Sequence, residues 1–527
     1  DTEAILHAYE EWGSACVTHF NGMWAFALWD QPRRHLLISR DRIGIKPLYY
    51  VRDATRFAFA SEIKCLRAAG LGCRVNPDSV LSFLATGLTD DSPSTFCQDV
   101  YSLPPAHNLL MDLATGEMNL SQYWTVDLQR ALPYRTEADV VDAFRELFLD
   151  AVRVHLLSDV PVGTCLSGGL DSSAVVGAIN LLISERGLHV TGMENRQKTF
   201  SARYSDTRHD EGRFIDAVVT EAGVEAHMVY PTPEDLMAHW RELFYHLEEP
   251  FGSSSIFAQW NVFRLARQTG VTVTLDGQGG DELLAGYLGF FPYYLADLVA
   301  AGHWTRALTE LDAHVNLHSV NRRRELRNIF TNVLPPALKD RIKRAQIVPA
   351  WITPDLRSVG MLRVPQLQDS AGATRLQRAQ TMELTTSTLP SLLRFDDRNS
   401  MAHSIESRVP FLDYRLVEFC LALPATFKLR NGVTKYVLRQ AGRGLMPESV
   451  RNRHDKIGFS TPQDTWTRTT MANWMEDVFT SSEFRQHGYA QPDTVLAMLR
   501  AQRQGAEHTA ELWRCLAVEL WLRAMVR

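Results

Sequence analysis

Cys165-Leu-Ser-Gly-Gly-Leu-Asp-Ser-Ser-Ala-Val-Val176 is the stretch on which the fold turns. The run before it, Val160 to Leu166, is short and apolar, as a buried β-strand is. After it, Ser172 to Leu182 is rich in Ala, Val and Ile at helical spacing. The stretch therefore carries a strand into a helix N-terminus, where unpaired N–H groups and the positive end of the dipole favour phosphate. Gly168 and Gly169 let backbone approach a ligand, while Ser167, Ser172 and Ser173 add hydroxyls. The loop is too short for a GxxxxGK[ST] P-loop and has no lysine. It has Asp171 instead, and a carboxylate beside phosphates calls for a Mg²⁺ between them.

A second loop repeats the logic. Val271 to Leu275 is strand-like and runs into Asp276-Gly-Gln-Gly-Gly-Asp-Glu282. Ligands of open α/β sheets sit beyond the strand C-termini, so two acidic, glycine-rich loops there can face one site. Asp171 and Asp281 could then share a metal through phosphate oxygens.

A chain of 527 residues with net charge −6 suits two or three globular domains and gives no reason for a nucleic-acid partner. The basic runs Arg322–Arg324 and Lys339–Arg344 read as solvated faces. No apolar run approaches the roughly 18–20 residues that span a bilayer, so no membrane role is expected. Seven cysteines without a CxxC suit neither a disulfide framework nor a zinc site, which points to a reduced, cytoplasmic protein. An opening helix over residues 1–13 precedes strands at Trp24–Trp29, Leu36–Ser39 and Leu48–Val51, with more to about Val126. From Ala138 helices alternate with strands such as Thr199–Ala202 and His227–Tyr230, and beyond Tyr287 the pattern is helical.

SGGLDSS resembles the pyrophosphate-loop signature of N-type ATP pyrophosphatases. Further motifs, Phe20–Asp30, Arg40–Tyr49, Phe59–Lys64, Arg394–Met401, Glu406–Asp413 and Asp455–Phe459, make nearly the whole chain similar to glutamine-dependent asparagine synthetases. The resemblance implies part of an αββα class II glutaminase-like domain over residues 1–126 and a linker over 127–137. An ATP pyrophosphatase synthetase domain then fills 138–527, a parallel α/β sheet with a largely helical C-terminal part. A chain that opens at Asp1 inside a helix is expected to be a fragment, with the family's nucleophilic N-terminal cysteine lying before it. Such a chain is expected to use free ammonia rather than glutamine. Asp1 resembles the acid that holds the amino group of glutamine, and Cys16 reads as core rather than as a substitute nucleophile.

The chemistry implied is activation of a carboxylate as an acyl-adenylate with loss of pyrophosphate, followed by attack of ammonia. The Ser167–Ser173 loop, Mg²⁺ on Asp171 and Asp281, and a lysine clamp would stabilise the departing pyrophosphate. Lys456 is the first choice for that lysine; Lys435 is the second, its stem equally able to pack on a helix. The backbone near Leu166 and the strand ending at Ala202 would bind adenine, and Asp276 and Gly277 would approach the ribose and α-phosphate. Gln278 stands where the best-known members have a glutamate, and an amide cannot act as a base. The proton acceptor is therefore open, with Glu282 and Glu249 as candidates. An acceptor pocket is expected from Glu248–Ile256 with Arg398, Glu406 and Arg408, read either as a carboxylate clamp or as structural ion pairs. The implied substrates are ATP, L-aspartate, and glutamine or ammonia. Two alternatives are the same chemistry on another carboxylate in a natural-product pathway, and a non-catalytic ATP-binding regulator. A homodimer is left open.

Overall fold

A computed structural model describes residues 1–71, 74–188, 190, 196–334, 348–367, 370–455 and 460–526. Apolar alternation in the first 122 residues builds β1 (Ala25–Asp30), β2 (His35–Arg40), β3 (Tyr49–Arg52), β4 (Phe57–Ala60), β5 (Arg74–Val75), β6 (Cys97–Gln98), β7 (Val100–Ser102), β8 (His107–Asp112) and β9 (Met118–Gln122). Two antiparallel sheets result, ordered β1-β2-β8-β9 and β4-β3-β7, with β5 and β6 paired apart. Side chains of β3 alternate between two cores. Tyr50 joins Ile38, Leu48 and Leu109 between the sheets, while Tyr49 and Val51 face the helix Ile63–Ala68. The helix Thr2–Trp12 and the turn Gly13–His19 pack Ala8, Cys16 and Val17 against Trp24, Phe26 and Tyr123. The layers are thus helix, sheet, sheet, helix, and Cys16 is core, its thiol pushed up by burial. The cysteines are not all free, as had been expected: Cys97 is disulfide-bonded, whereas Cys16, Cys65, Cys165, Cys420 and Cys515 are thiols.

The second part is a parallel sheet of β10 (Val162–Cys165), β11 (Lys198–Ala202), β12 (Glu225–Val229), β13 (Val273–Leu275) and β14 (Glu406–Arg408), ordered β12-β11-β10-β13-β14. Helices Glu137–His155, Leu170–Ser184 and Gly212–Ala222 bury Phe144, Phe148, Val175 and Ile215 with Val162 and Leu275 on one face. The helix Ser255–Gln268 buries Val262 and Phe263 with Phe200 on the other. Chain order moves outward from β10 in one direction to β11 and β12, then restarts on its other side at β13. The crevice where the two directions part lies at the ends of β10 and β13. β14 was not foreseen; three residues are too few for a period-2 signal, and they lie within a segment read as substrate pocket.

Beyond Tyr287 the described residues are helical almost throughout. Among the described residues Gly280–Ala300 is long and apolar enough to cross a membrane, which corrects the expectation that no run reaches that length. Its apolar window is 56% buried, and Phe291, Tyr294 and Leu295 sit in a core cluster, so it is packed as an interior segment.

The two parts are joined by buried ion pairs. Glu248 adopts φ 64° and its carbonyl accepts from Trp521 Nε1 at 2.7 Å. Its carboxylate caps the helix Ile63–Ala68, accepting from the N–H groups of Ile63 (3.1 Å) and Lys64 (2.7 Å), and pairs with Arg398 at 2.8 Å. Glu248 is 1% and Arg398 2% exposed, so removing Glu248 leaves the buried guanidinium with the more distant Glu62 at 3.5 Å. Glu248→Ala is expected to cost about 3–5 kcal/mol in urea unfolding, and the joint change with Arg398→Met distinctly less than that.

Candidate functional site

The loop after β10 is shaped by close approach. Gly168 has φ +75°, and a Cβ there would lie 3.1 Å from Ile215. Ser167 and Ser172 share a hydroxyl contact of 3.1 Å, the Ser167 N–H donates to Ser172 Oγ at 3.2 Å, and Ser173 Oγ is buried without a partner among the described residues. Gly169 N-caps the helix Leu170–Ser184, so the N–H groups of Leu170, Asp171 and Ser172 form its first turn. Leu166 donates its N–H to the Phe200 carbonyl at 2.9 Å, and its own carbonyl accepts from Ser201 Oγ at 2.6 Å. Ala202, the end of β11, is next to this ladder.

The loop after β13 packs on the first. A Cβ on Gly277 would stand 2.8 Å from the Ser172 nitrogen and one on Gly280 2.6 Å from Asp171 Oδ1, so only glycine allows the two loops to touch. Lys435, the N-cap of the helix Tyr436–Ala441, is 3% exposed and held at φ 55°. Its ammonium pairs with Asp171 Oδ2 and, at 2.7 Å, with Asp281 Oδ1. Among the described residues Asp171 Oδ1 is buried without a hydrogen-bond partner. Burial pushes the Asp276 carboxyl up to about 6, with Asp171 adding to the rise against the N–H groups of Gly277 and Gln278. Burial likewise lifts Glu282 to about 7, with Asp281 adding to it, while Tyr287 Oη donates to it at 2.6 Å. Gln278 is half-buried on the same loop.

Other expected residues lie elsewhere. Arg398, expected to clamp a carboxylate substrate, is committed to Glu248 and to the Ser61 carbonyl at 2.7 Å. Glu249 accepts from the Phe96 N–H at 2.8 Å and faces Arg394 at 3.5 Å. Glu406 and Arg408 alternate along β14, so they share a face and pair at 2.6 Å. Arg408 also donates to the carbonyls of His155 and Leu157, both at 2.7 Å. The reading as structural ion pairs fits Arg398, Glu406 and Arg408. Asp1 is exposed at the start of its helix and makes no side-chain cap. Lys456 falls outside the described residues.

Two buried cations went unforeseen. Arg453 donates to the Gly168 carbonyl at 2.9 Å and to Glu211 at 2.5 Å, and stacks over Phe214 at 3.8 Å. It therefore fixes the left-handed residue of the first loop. Arg439, beside Asp171, donates to the Thr434 carbonyl at 2.8 Å; burial brings its guanidinium down to about 10. Neither carries a sequence signal, since an arginine reads as surface until the partners that enclose it are known.

A family described as asparagine synthase matches residues 143–523, and a glutamine amidotransferase domain matches residues 1–124. The chain belongs to the asparagine synthase family. It is 28% identical over 537 residues to asparagine synthetase [glutamine-hydrolyzing] 1 of Bacillus subtilis, covering 99% of this chain and 80% of that one. Asparagine synthetase 3 of the same bacterium is 28% identical over 512 residues, 96% of this chain and 76% of its own. Amidase chry2 of Gibberella zeae is 26% identical over 523 residues, 93% of this chain and 77% of its own. This family member is a carbon–nitrogen ligase that couples ATP to amidation, with a glutaminase-type sandwich ahead of an ATP-using parallel sheet.

Two outcomes follow from these placements. Arg453→Lys keeps the charge but not the two-armed geometry, and is expected to weaken Mg·ATP binding about tenfold with little change in melting temperature. Equilibrium binding and thermal unfolding check it. For Glu249, burial raises the carboxyl from near 4.5 to about 7, overcoming Arg394. Its contribution to stability is complete below about 4.5 and is lost as pH rises through about 7. Glu249→Gln should therefore raise the melting temperature at about pH 8 and leave it nearly unchanged at about pH 4.

Proposed function

We propose that this chain adenylates L-aspartate and forms asparagine with ammonia, releasing AMP and pyrophosphate. The observation that carries the reading is Lys435 between Asp171 and Asp281 where the two glycine loops meet. The acceptor carboxylate oxygen attacks the α-phosphorus of ATP and the bond to the β-phosphate oxygen breaks, so charge grows on the departing pyrophosphate. The first turn of the helix Leu170–Ser184, the hydroxyls of Ser167, Ser172 and Ser173, and Lys435 are placed to stabilise that charge without reorganising. Lys456, on the segment that follows Arg453, is assigned to the same pyrophosphate. Leu166 and Ala202 edge the adenine site, and Asp276 and Gly277 approach the ribose and α-phosphate. Ammonia then attacks the acyl carbon, AMP leaves, and the ammonium proton must pass to a base. Gln278 cannot take it, whereas Asp276 and Glu282, raised to about 6 and 7, are proton acceptors near neutral pH.

Among the described residues no cluster of three or more His, Cys, Asp or Glu side chains could hold a metal by itself. Two carboxylates with phosphate oxygens are the usual Mg²⁺ donor set, and the unpartnered Asp171 Oδ1 fits it. Asp171 and Asp281 would hold Mg²⁺, which supplies charge neutralisation to the phosphates when bound. We place the domain boundary at residues 127–137.

A second reading keeps the chemistry and changes the acceptor. It is favoured by Arg398 and Arg408, whose guanidinium groups are committed to protein partners rather than open to aspartate. Pyrophosphate release with Mg·ATP, ammonium or glutamine, and with or without L-aspartate, separates the two. Aspartate-dependent release that falls at least about 100-fold in Lys435→Ala is the expected result. Tight ATP binding with no response to aspartate would replace aspartate by another carboxylate.

A further inference from the structure

Lys428 lies in the interior of the fold, where a lysine is seldom found. It is fully buried, and among the described residues the ionisable group that faces it is the Cys420 thiol, itself pushed up by burial to about 12. Burial brings the Lys428 amine down to about 7. Among the described residues a side chain so costly to enclose is held by two oxygens, neither of them a carboxylate's. Nζ donates to Gln380 Oε1 at 2.8 Å and, more weakly, to the Leu421 carbonyl at 3.4 Å. The backbone carbonyl of Lys428 in turn accepts from the Tyr436 N–H at 3.0 Å.

Both contacts lead to the candidate site. Gln380, 0% exposed, uses its amide nitrogen to reach the carbonyls of Glu282 (3.0 Å) and Leu283 (2.6 Å). Those carbonyls close the short helix Gly280–Leu283, which carries Asp281. Tyr436 directly follows Lys435, the residue in left-handed conformation whose ammonium bridges Asp171 and Asp281. One buried lysine thus holds both sides of the same ion pair: the acid through Gln380, and the base through its own backbone. A glutamine amide can flip, and a donor at one end together with carbonyl acceptors at the other fixes which end is oxygen. With Lys428 donating to Oε1, the nitrogen must face the helix carbonyls.

We propose that Lys428 is a positioning residue for nucleotide binding, orienting Gln380 so that its amide holds the Asp281 helix against Lys435. This rests on the reading of the two loops as an ATP site. It is tested by calorimetric binding of Mg·ATP to the full chain, a readout that does not depend on which carboxylate is amidated.

Lys428→Met and Gln380→Met should each weaken Mg·ATP binding about tenfold, and the double variant no more than the weaker-binding single one, as two members of one hydrogen-bonded chain require. Unchanged affinity in variants that merely melt earlier, or fully additive losses, would overturn the proposal. If Lys428→Met does not fold, Gln380→Glu decides. It keeps an acceptor for the lysine but loses both donors to Glu282 and Leu283, so it must show the same weakening, and wild-type affinity there overturns the proposal. Failure of the wild-type chain to bind Mg·ATP would instead remove the ATP-site reading beneath it.

Discussion

The ammonium of Lys435 is the constraint on which the site depends. Asp171 begins one helix and Asp281 another, and their carboxylates approach a common point from opposite sides of the crevice. Two partly desolvated carboxylates so close repel strongly unless a cation lies between them. The local sequence is arranged around that cation. A Cβ on Gly286 would fall 2.2 Å from Lys435 Cε, and one on Gly280 2.6 Å from Asp171 Oδ1. Glycine at these positions is a consequence of packing backbone against an ion triad, beyond any need for flexible loops. Lys435 itself sits in a left-handed conformation that costs a non-glycine residue about 1 kcal/mol or more, a strain retained where the surroundings over-determine it.

The sheet supplies the meeting point. β11 and β13 flank β10 on opposite sides, and the loops leaving β10 and β13 meet at this switch point, glycine against backbone. Arg453 then ties the first loop to Glu211 at the start of the helix Gly212–Ala222, and Gln380 ties the second to the C-terminal helices. Each glycine loop is thereby flexible in composition and rigid in place, which is what electrostatic stabilisation of a leaving group requires.

What could be read from the sequence was what is local. SGGLDSS and DGQGGDE each compress strand end, turn and helix start into a few residues, so their local form is legible without tertiary contacts. The strands of the first 122 residues were legible for the same reason, since Tyr49, Tyr50 and Val51 alternate between two cores. Arg398 and Glu248 were not, because their pairing spans 150 positions and an arginine near an acid reads equally as a clamp or a brace. Lys428 and Arg453 were invisible: buried cations look like surface ones until the partners that enclose them are known.

One helix converts these separate features into a single body. Leu389–Ala402 sends Arg394 to Asp90, Asp397 to Lys46 at 3.0 Å, and Arg398 to Glu248 and Ser61, all contacts that bind the N-terminal sandwich or the segment capping its helix. Between them Asp396 turns the other way, toward Ser407 on β14 and Asp276 on the second loop, and its carboxyl is pushed well up by burial and by Asp276. Gln259 donates to the same carboxylate at 2.9 Å. Consecutive residues of a helix point about 100° apart, so a single turn can face both halves only if it lies in the seam between them. The acid beneath the second glycine loop and the ion pairs that hold the sandwich are therefore fixed to one rod. Asp397, which meets Lys46, and Arg398, which meets Glu248, lie one and two residues along this rod from the acid that faces Asp276.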